Sequence, residues 1–398
     1  MKKSFSILMA LIMVIFLVAT VFAQDVVRIG CSTSQTGKLA YEGKAAKDGN
    51  DFYVAMVNRK GGLTIGGKKY KIEVKYYDDE SDINTTTKLV EKLITEDKID
   101  FIYGPYGSGP GFAASAITEK YKKIIMAMSS SRELYERGFK YLFTCVTPAE
   151  LYLKSAVSCL TQQNPKPKTL ALLWKNDLAN KSIGDPIPEY CKENGIEVVY
   201  NEKFAPGASD FSAELSMIKA KNPDIIVFLS QSEQFILGTK QMKDLKVNPK
   251  AIVTGIGIAE PYLVKALGKD AEYLSGSTLW VPTMRYRDDV FGDSQDFSRE
   301  FKKMFAYDPS YHAATNAASC QALGIAMEKA GSLDVEKVRN AMATLDVNTF
   351  YGRIRFDEKG RITGRMPPMG QILNGKFTII YPPELADAKM VWPKPAWQ

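Results

Sequence analysis

The stretch KIEVKYYDDESDINTTTKLVEKLITEDKIDFIYG, residues 71–104, holds one complete structural unit. Residues 71–82 are an apolar run ending in an acidic turn, and the next segment places Leu89, Val90, Leu93 and Ile94 on one face of a helix. KIDFIYG (98–104) is then a second apolar run, which predicts strand, helix, strand. The same order returns at 195–230, where GIEVVYNEKFAPGASD precedes a helix presenting Phe211, Leu215 and Ile218, followed by the strand PDIIVFLS. These apolar runs lack alternation, so both faces of each strand are expected to be covered, as in parallel sheets of the α/β class. Two such units far apart in one chain imply two similar lobes.

Working outward, DVVRIGCSTSQTG opens the first lobe, and a helix is expected from about Tyr41 to Asn58. IIMAMSSS (124–131) is a strand ending in hydroxyls, TLALLWKND (169–177) opens the second lobe, and AIVTGIG (251–257) is another buried strand. Helices are predicted over 312–331 and 335–345, and YGRIRFDEKGRITG (351–364) alternates with period two about a glycine turn, the mark of a hairpin. Open α/β sheets take ligands outside the carboxyl ends of their strands, so two facing lobes make a cleft.

At the amino terminus, Lys2 and Lys3 precede an uncharged run from Ile7 to Phe22 that ends in small residues at Ala23. Residues 1–23 therefore read as a signal peptide, with an extracytoplasmic, periplasmic product soluble after cleavage. The composition, 45% hydrophobic and 24% charged, is that of a globular protein long enough for two domains. The net charge of +7 includes the two leader lysines and is spread along the chain, unlike the concentrated charge of a nucleic-acid binder. Five cysteines (31, 145, 159, 191 and 320) show no metal-like spacing. Their odd number leaves at least one thiol unpaired, and buried free thiols are expected, with a pair drawn from Cys145, Cys159 and Cys191 left open.

The glycine-rich stretch IYGPYGSGPGFAAS (102–115) follows a strand and precedes a helix expected near Gly111. A Walker loop needs Lys and Ser or Thr after its last glycine, and none follows here. A dinucleotide loop belongs to the first strand–helix unit, whereas this one lies in a later unit. The surviving reading is an anion cradle of backbone N–H groups with the Ser108 hydroxyl as an added donor. Ser129, Ser130 and Ser131 end the next strand and bring further hydroxyls to the same sheet edge. Each serine alone is more often an ordinary helix cap, and it is the two adjacent strand ends offering donors together that bring the ligand reading level with it.

Tyr41 starts the first helix and is placed to lean over the cleft. Trp174, Asn176 and Asp177 lie at the end of the first second-lobe strand, with Gln231 and Ser232 in the equivalent place after IIVFLS. Catalysis finds little footing. The single histidine, His312, stands at a helix start without a nucleophile elbow, no His/Cys cluster suits zinc, and YYDDESD lacks the EF-hand spacing. The expectation is a binding protein, not an enzyme, with no metal and no cofactor.

The order of segments resembles the type I periplasmic solute-binding proteins of ABC importers, in particular the leucine/isoleucine/valine-binding family. The residues that carry the likeness are GCSTSQTGKLAYEGKAAKDGNDFYVAMVNRKGGL, YYDDESD, IDFIYGPYGS, SSSRELYERGF and YGRIRFDEKG, spanning the chain after its leader. The resemblance implies two Rossmann-like lobes with parallel sheets joined by three hinge crossovers. It divides the chain into 26–146 plus 279–348 for one lobe, and 147–278 plus 349–398 for the other. Ser108 and Ser130 match the hydroxyl residues that bind a ligand carboxylate, Ser129 is their neighbour, and Met128 offers its carbonyl.

The departures from that pattern are informative. Gly257 stands where amino-acid binders carry an acid for the ligand ammonium, and the nearest acid is Glu260. Ala179 and Gln231 replace the aromatics that cover the ligand. A carboxylate without an amine, including an aromatic acid, is thus a candidate beside amino acids and amides. The implied function is capture of such a small molecule by a monomer that serves an inner-membrane ABC permease. The alternative is a ligand-sensing module of the same fold that feeds a signalling partner.

Overall fold

The computed structural model describes residues 25–397, so the expected leader at 1–23 lies outside the described residues. The first sheet is built from β1 (Asp25–Thr33), β2 (Leu63–Ile65), β3 (Lys68–Asp78), β4 (Phe101–Tyr106), β5 (Ile124–Met128) and β6 (Leu142–Phe143), in spatial order β2-β3-β1-β4-β5-β6. Only β2 runs antiparallel, as the hairpin partner of β3. The second sheet has the order β17-β16-β11-β10-β9-β7-β8. It contains β7 (Thr169–Lys175), β8 (Glu197–Phe204), β9 (Ile225–Leu229), β10 (Ala251–Thr254) and β11 (Ser275–Ser277), all parallel. An antiparallel pair at its edge, β16 (Met369–Leu373) and β17 (Lys376–Tyr381), completes it. Two short ribbons, β12 (Arg287–Asp288) with β13 (Gly292–Asp293) and β14 (Asp346–Thr349) with β15 (Gly352–Arg355), stand apart from both.

Local sequence accounts for the helices that cover the first sheet. In α1 (Ala40–Arg59), Phe52, Tyr53 and Val57 are buried on one side. In α2 (Ile83–Thr95), the Asp82 side chain accepts the Thr85 N–H at 2.8 Å, and Val90, Leu93 and Ile94 form the buried face. This cap holds one of the amide donors that a helix start leaves without a partner. Then come α3 (Ser108–Lys120), the single turn α4 (Arg132–Tyr135), and α5 (Lys154–Thr161) on the way to the second lobe. Around the second sheet lie α6 (Leu178–Gly184), α7 (Ile187–Glu193), α8 (Ser212–Lys221), α9 (Ser232–Asp244) and α10 (Pro261–Leu267). The chain then returns to the first lobe with α11 (Ser294–Phe305), α12 (Tyr311–Ala330) and α13 (Val335–Ala343).

Aromatic packing explains why that return segment belongs with the first sheet. Phe52 of α1 stacks on Phe291 at 5.3 Å and meets Phe297 edge-on at 5.2 Å, while Phe297 lies flat on Phe350 at 4.1 Å. A separate cluster of Phe204, Phe211, Phe228 and Phe235 fills the second lobe. The other face of the second sheet, with Leu170, Leu172, Ile225 and Val253, belongs to the large apolar cluster that also fills the first lobe.

Three crossovers join the lobes, after β6, after β11 and after β15. The third falls later than the expected break at 348/349. The Phe350 N–H donates to Asp288 at 2.7 Å, the Thr315 hydroxyl donates to Tyr351 at 2.9 Å, and Thr144 bridges Arg361. These contacts hold the 346–362 segment on the first lobe, because its apolar residues are drawn into the aromatic cluster. The expected glycine turn is present, with Gly360 N–H closing onto the Asp357 carbonyl at 3.0 Å. All five cysteines are buried free thiols.

Candidate functional site

In the first sheet the strand order reverses direction between β3-β1 and β1-β4, and in the second between β8-β7 and β7-β9. Crevices open at such switch points. The carboxyl ends of β4, β5, β7, β9 and β10 converge there on one cavity of about 470 Å3. Of the residues expected at the site, Ser108, Met128, Ser129, Ser130, Ala179, Gln231 and Gly257 line this cavity together.

The glycine-rich loop contributes through its geometry. Gly107 has φ of 100°, a conformation that L side chains rarely adopt, and it turns the chain from β4 into α3. The helix begins at Ser108, one turn before the expected Gly111, which brings the Ser108 amide into the first turn with its hydroxyl. First-turn amides lack helical acceptors, so they are available to an anion. The Ser129 hydroxyl donates to Ser108 Oγ at 3.2 Å and is thereby occupied. Met128 ends β5, and Ser130 follows Ser129 beside it on the cavity wall.

On the second lobe, Lys175 ends β7 and directs its ammonium to Gln231 Oε1, with Asp177 Oδ2 at 3.5 Å. Asp177 caps α6, accepting the Asn180 N–H at 2.9 Å. Trp174 points away, buried, with its indole N–H donating to Asn201 at 3.0 Å. The pleat alternates side chains between faces, so the strand-end rule located the region but not which neighbour enters it.

Tyr41 departs from expectation: it does not line the cavity, and its neighbour Glu42 does. Successive helix positions are about 100° apart, so a one-residue difference separates the wall from the rim. The Tyr41 ring instead meets Tyr262 edge-on at 4.6 Å, and its hydroxyl donates to Glu260 Oε2 at 3.1 Å. Burial, reinforced by Glu260, raises the Tyr41 phenol. Glu260 is 1% exposed and places Oε1 3.3 Å from His312 Nδ1. His312, at the start of α12, completes the chain through Nε2 to the Tyr106 hydroxyl at 3.3 Å. Burial also lifts the Tyr106 phenol far above its usual range, with Glu42 as the next cause.

Sequence reading passed over Glu42, Lys175, Tyr106 and Tyr152, all on the cavity wall. Among the described residues no cluster of His, Cys, Asp and Glu could hold a metal ion, and no helix is long and apolar enough to cross a membrane.

Paired Rossmann-like lobes that turn their strand ends onto a shared cavity define the two-lobed periplasmic-binding-protein architecture. The profile of the periplasmic binding protein family matches residues 26–373, and the chain belongs to that family, whose members are extracytoplasmic binding proteins. It is 26% identical over 351 residues to the Leu/Ile/Val-binding protein BraC3 of Rhizobium johnstonii, covering 85% of this chain and 89% of that protein. It is 25% identical to the leucine-, isoleucine-, valine-, threonine-, and alanine-binding protein of Pseudomonas aeruginosa, covering 85% of this chain and 87% of that one. Among solved structures, the branched-chain amino acid binding protein LivJ of Streptococcus pneumoniae in complex with isoleucine superposes with a TM-score of 0.77, at 22% identity over 93% of this chain and 100% of that one. A solute-binding protein of Rhodopseudomonas palustris in complex with 3,4-dihydroxybenzoic acid gives 0.76, at 21% identity over 89% of this chain and 95% of that one. At these identities the structural likeness establishes the fold.

Proposed function

We propose that this protein is the extracytoplasmic solute-binding component of an ABC importer, capturing an amino acid or related small carboxylate between its lobes. The observation that carries the reading is the pairing of Ser108, in the first turn of the 13-residue helix α3, with Ser130 at the next strand end on the same cavity. Hydroxyls and first-turn amides together supply charge-assisted donors, which suit a carboxylate. The second lobe then closes over the remainder with Ala179, Gln231 and Gly257, and the ligand favours the closed form by its differential affinity. Relatives named for branched-chain amino acids and a structural neighbour holding an aromatic acid both support a carboxylate ligand.

Thermal melting of the mature protein against branched-chain amino acids, amides, aliphatic acids and 3,4-dihydroxybenzoate tests the reading. A ligand at one hundred times its Kd stabilises by about 2.7 kcal/mol, a clear upward shift in Tm. No shift with any carboxylate would remove the proposal, and turnover of a stabilising compound would replace binding with catalysis.

A further inference from the structure

Three acids crowd the rim and wall of the cavity, and they differ in what already holds them. Asp177 Oδ1 accepts from the Asn180 N–H and from Asn180 Nδ2, each at 2.9 Å, while Oδ2 faces Gln231 Nε2 at 3.4 Å and the Lys175 ammonium at 3.5 Å. Glu260 takes the Tyr41 hydroxyl, faces His312, and lies off the cavity wall. Glu42 is the exception. It lines the cavity from the first turn of α1 and, among the described residues, its side chain makes no hydrogen bond or ion pair beyond its own backbone N–H.

Its surroundings leave that carboxylate in want of a cation. Burial pushes the Glu42 carboxyl up, His312 opposes the shift, and Glu260 and Glu233 add like charge. A charge held away from water is costly until an opposite charge reaches it. It lines the same cavity as Ser108 and Ser130. Tyr106, the neighbour whose phenol Glu42 perturbs, stands two residues before Ser108 and is bonded to His312. Gly257, in contrast, brings no side chain to the wall.

We infer that Glu42 reads a cationic nitrogen on the ligand, so that the preferred ligand is a small zwitterion whose ammonium lies beside its carboxylate. This rests on the reading that Ser108 and Ser130 hold the carboxylate. It moves recognition of the nitrogen from the second-lobe strand end, where Gly257 stands, to the first helix of the first lobe. An acid in the first turn also favours its own helix through the dipole. That role would alter the stability of the empty protein without separating one ligand from another.

The test is isothermal titration of wild type, Glu42→Gln and Ser130→Ala with matched pairs that differ only in the amine. Suitable pairs are leucine with 4-methylpentanoate, isoleucine with 3-methylpentanoate, valine with 3-methylbutanoate, and phenylalanine with 3-phenylpropanoate. The expected result is a wild-type preference of about tenfold or more for the amine in at least one pair, collapsing in Glu42→Gln while the amine-free affinity holds within about twofold. Thermal melting of unliganded Glu42→Gln verifies its fold. If amine-free acids bind as well as or better than their partners, lose affinity in Ser130→Ala and ignore Glu42→Gln, the Glu42 assignment is overturned and the carboxylate reading stands. Binding of neither series by wild type removes both.

Discussion

The Tyr41 hydroxyl donates to Glu260 Oε2 at 3.1 Å, tying the first helix of one lobe to the residue that starts α10 in the other. His312 backs the same carboxylate from the first lobe, and Tyr262 packs on the Tyr41 ring from the second. At another edge of the cleft, the Ser182 hydroxyl donates to Glu133 at 2.7 Å and Lys181 reaches the same side chain at 3.0 Å. All these contacts exist only while the lobes meet. Opening of the cleft would break them, so they would weigh on any equilibrium between open and closed forms.

Tyr41→Phe removes one bond to a buried carboxylate and keeps the ring edge-on to Tyr262. Ligand affinity should fall by about 1.5 to 3 kcal/mol, the range for a bond to a charged group, because closure is coupled to binding. The unfolding midpoint of the empty protein should change much less. Titration calorimetry beside urea denaturation separates the two, and equal losses in both would mean that the contact serves stability alone.

Ser108→Ala and Ser130→Ala should each weaken carboxylate binding by roughly 1 to 3 kcal/mol, the cost of a lost charge-assisted donor. Ser129→Ala should cost less, since its hydroxyl is engaged by Ser108 at 3.2 Å and acts through that neighbour. Equal effects at all three positions, read by fluorescence or calorimetric titration, would show that the cradle is not centred on Ser108 and Ser130.

Gly257 has φ of 100°, and a Cβ there would stand 2.9 Å from Ser232 Oγ. Gly257→Ala is therefore expected to destabilise the second lobe by about 1 to 2 kcal/mol, the backbone cost of a left-handed residue. The denaturation midpoint measures it. Restoring an acid by Gly257→Glu should meet the same strain, so it should destabilise the protein as well.

The raised Glu42 carboxyl makes a pH prediction with a definite sign. A folded-state pKa above the unfolded one means that its stabilising contribution is complete below the ordinary carboxylate pKa and is lost as pH rises through the raised value. The unliganded wild type should thus lose Tm relative to Glu42→Gln as pH climbs from about 4.5 toward neutrality. Parallel melting curves at every pH would show that the carboxylate is solvated in the empty cleft.

Much of this molecule was legible before its structure. Apolar runs without alternation announced covered strands, and strand–helix–strand order announced parallel sheets, because both signals are local in the chain. The loop around Ser108 was recognisable as a strand-to-helix turn on the ligand side of the sheet, and Ser108 lines the cavity. The cores, too, follow from residues such as Leu93, Leu215 and Ile218 at helical spacing.

Only the tertiary structure decided which side chains face the ligand space. Tyr41 and Glu42 are adjacent in sequence, yet one grips Glu260 at the rim and the other stands on the wall, because a helix turns its side chains about 100° per residue. Trp174 and Lys175 divide in the same way through the strand pleat. Glu260 finds its partners in Tyr41 and His312, far off in the chain, whereas Asp177 is held largely by its sequence neighbours Lys175 and Asn180. The chain by itself determined two lobes and the strand-end serines; only the fold put Glu42 on the cavity wall while Tyr41 beside it grips Glu260.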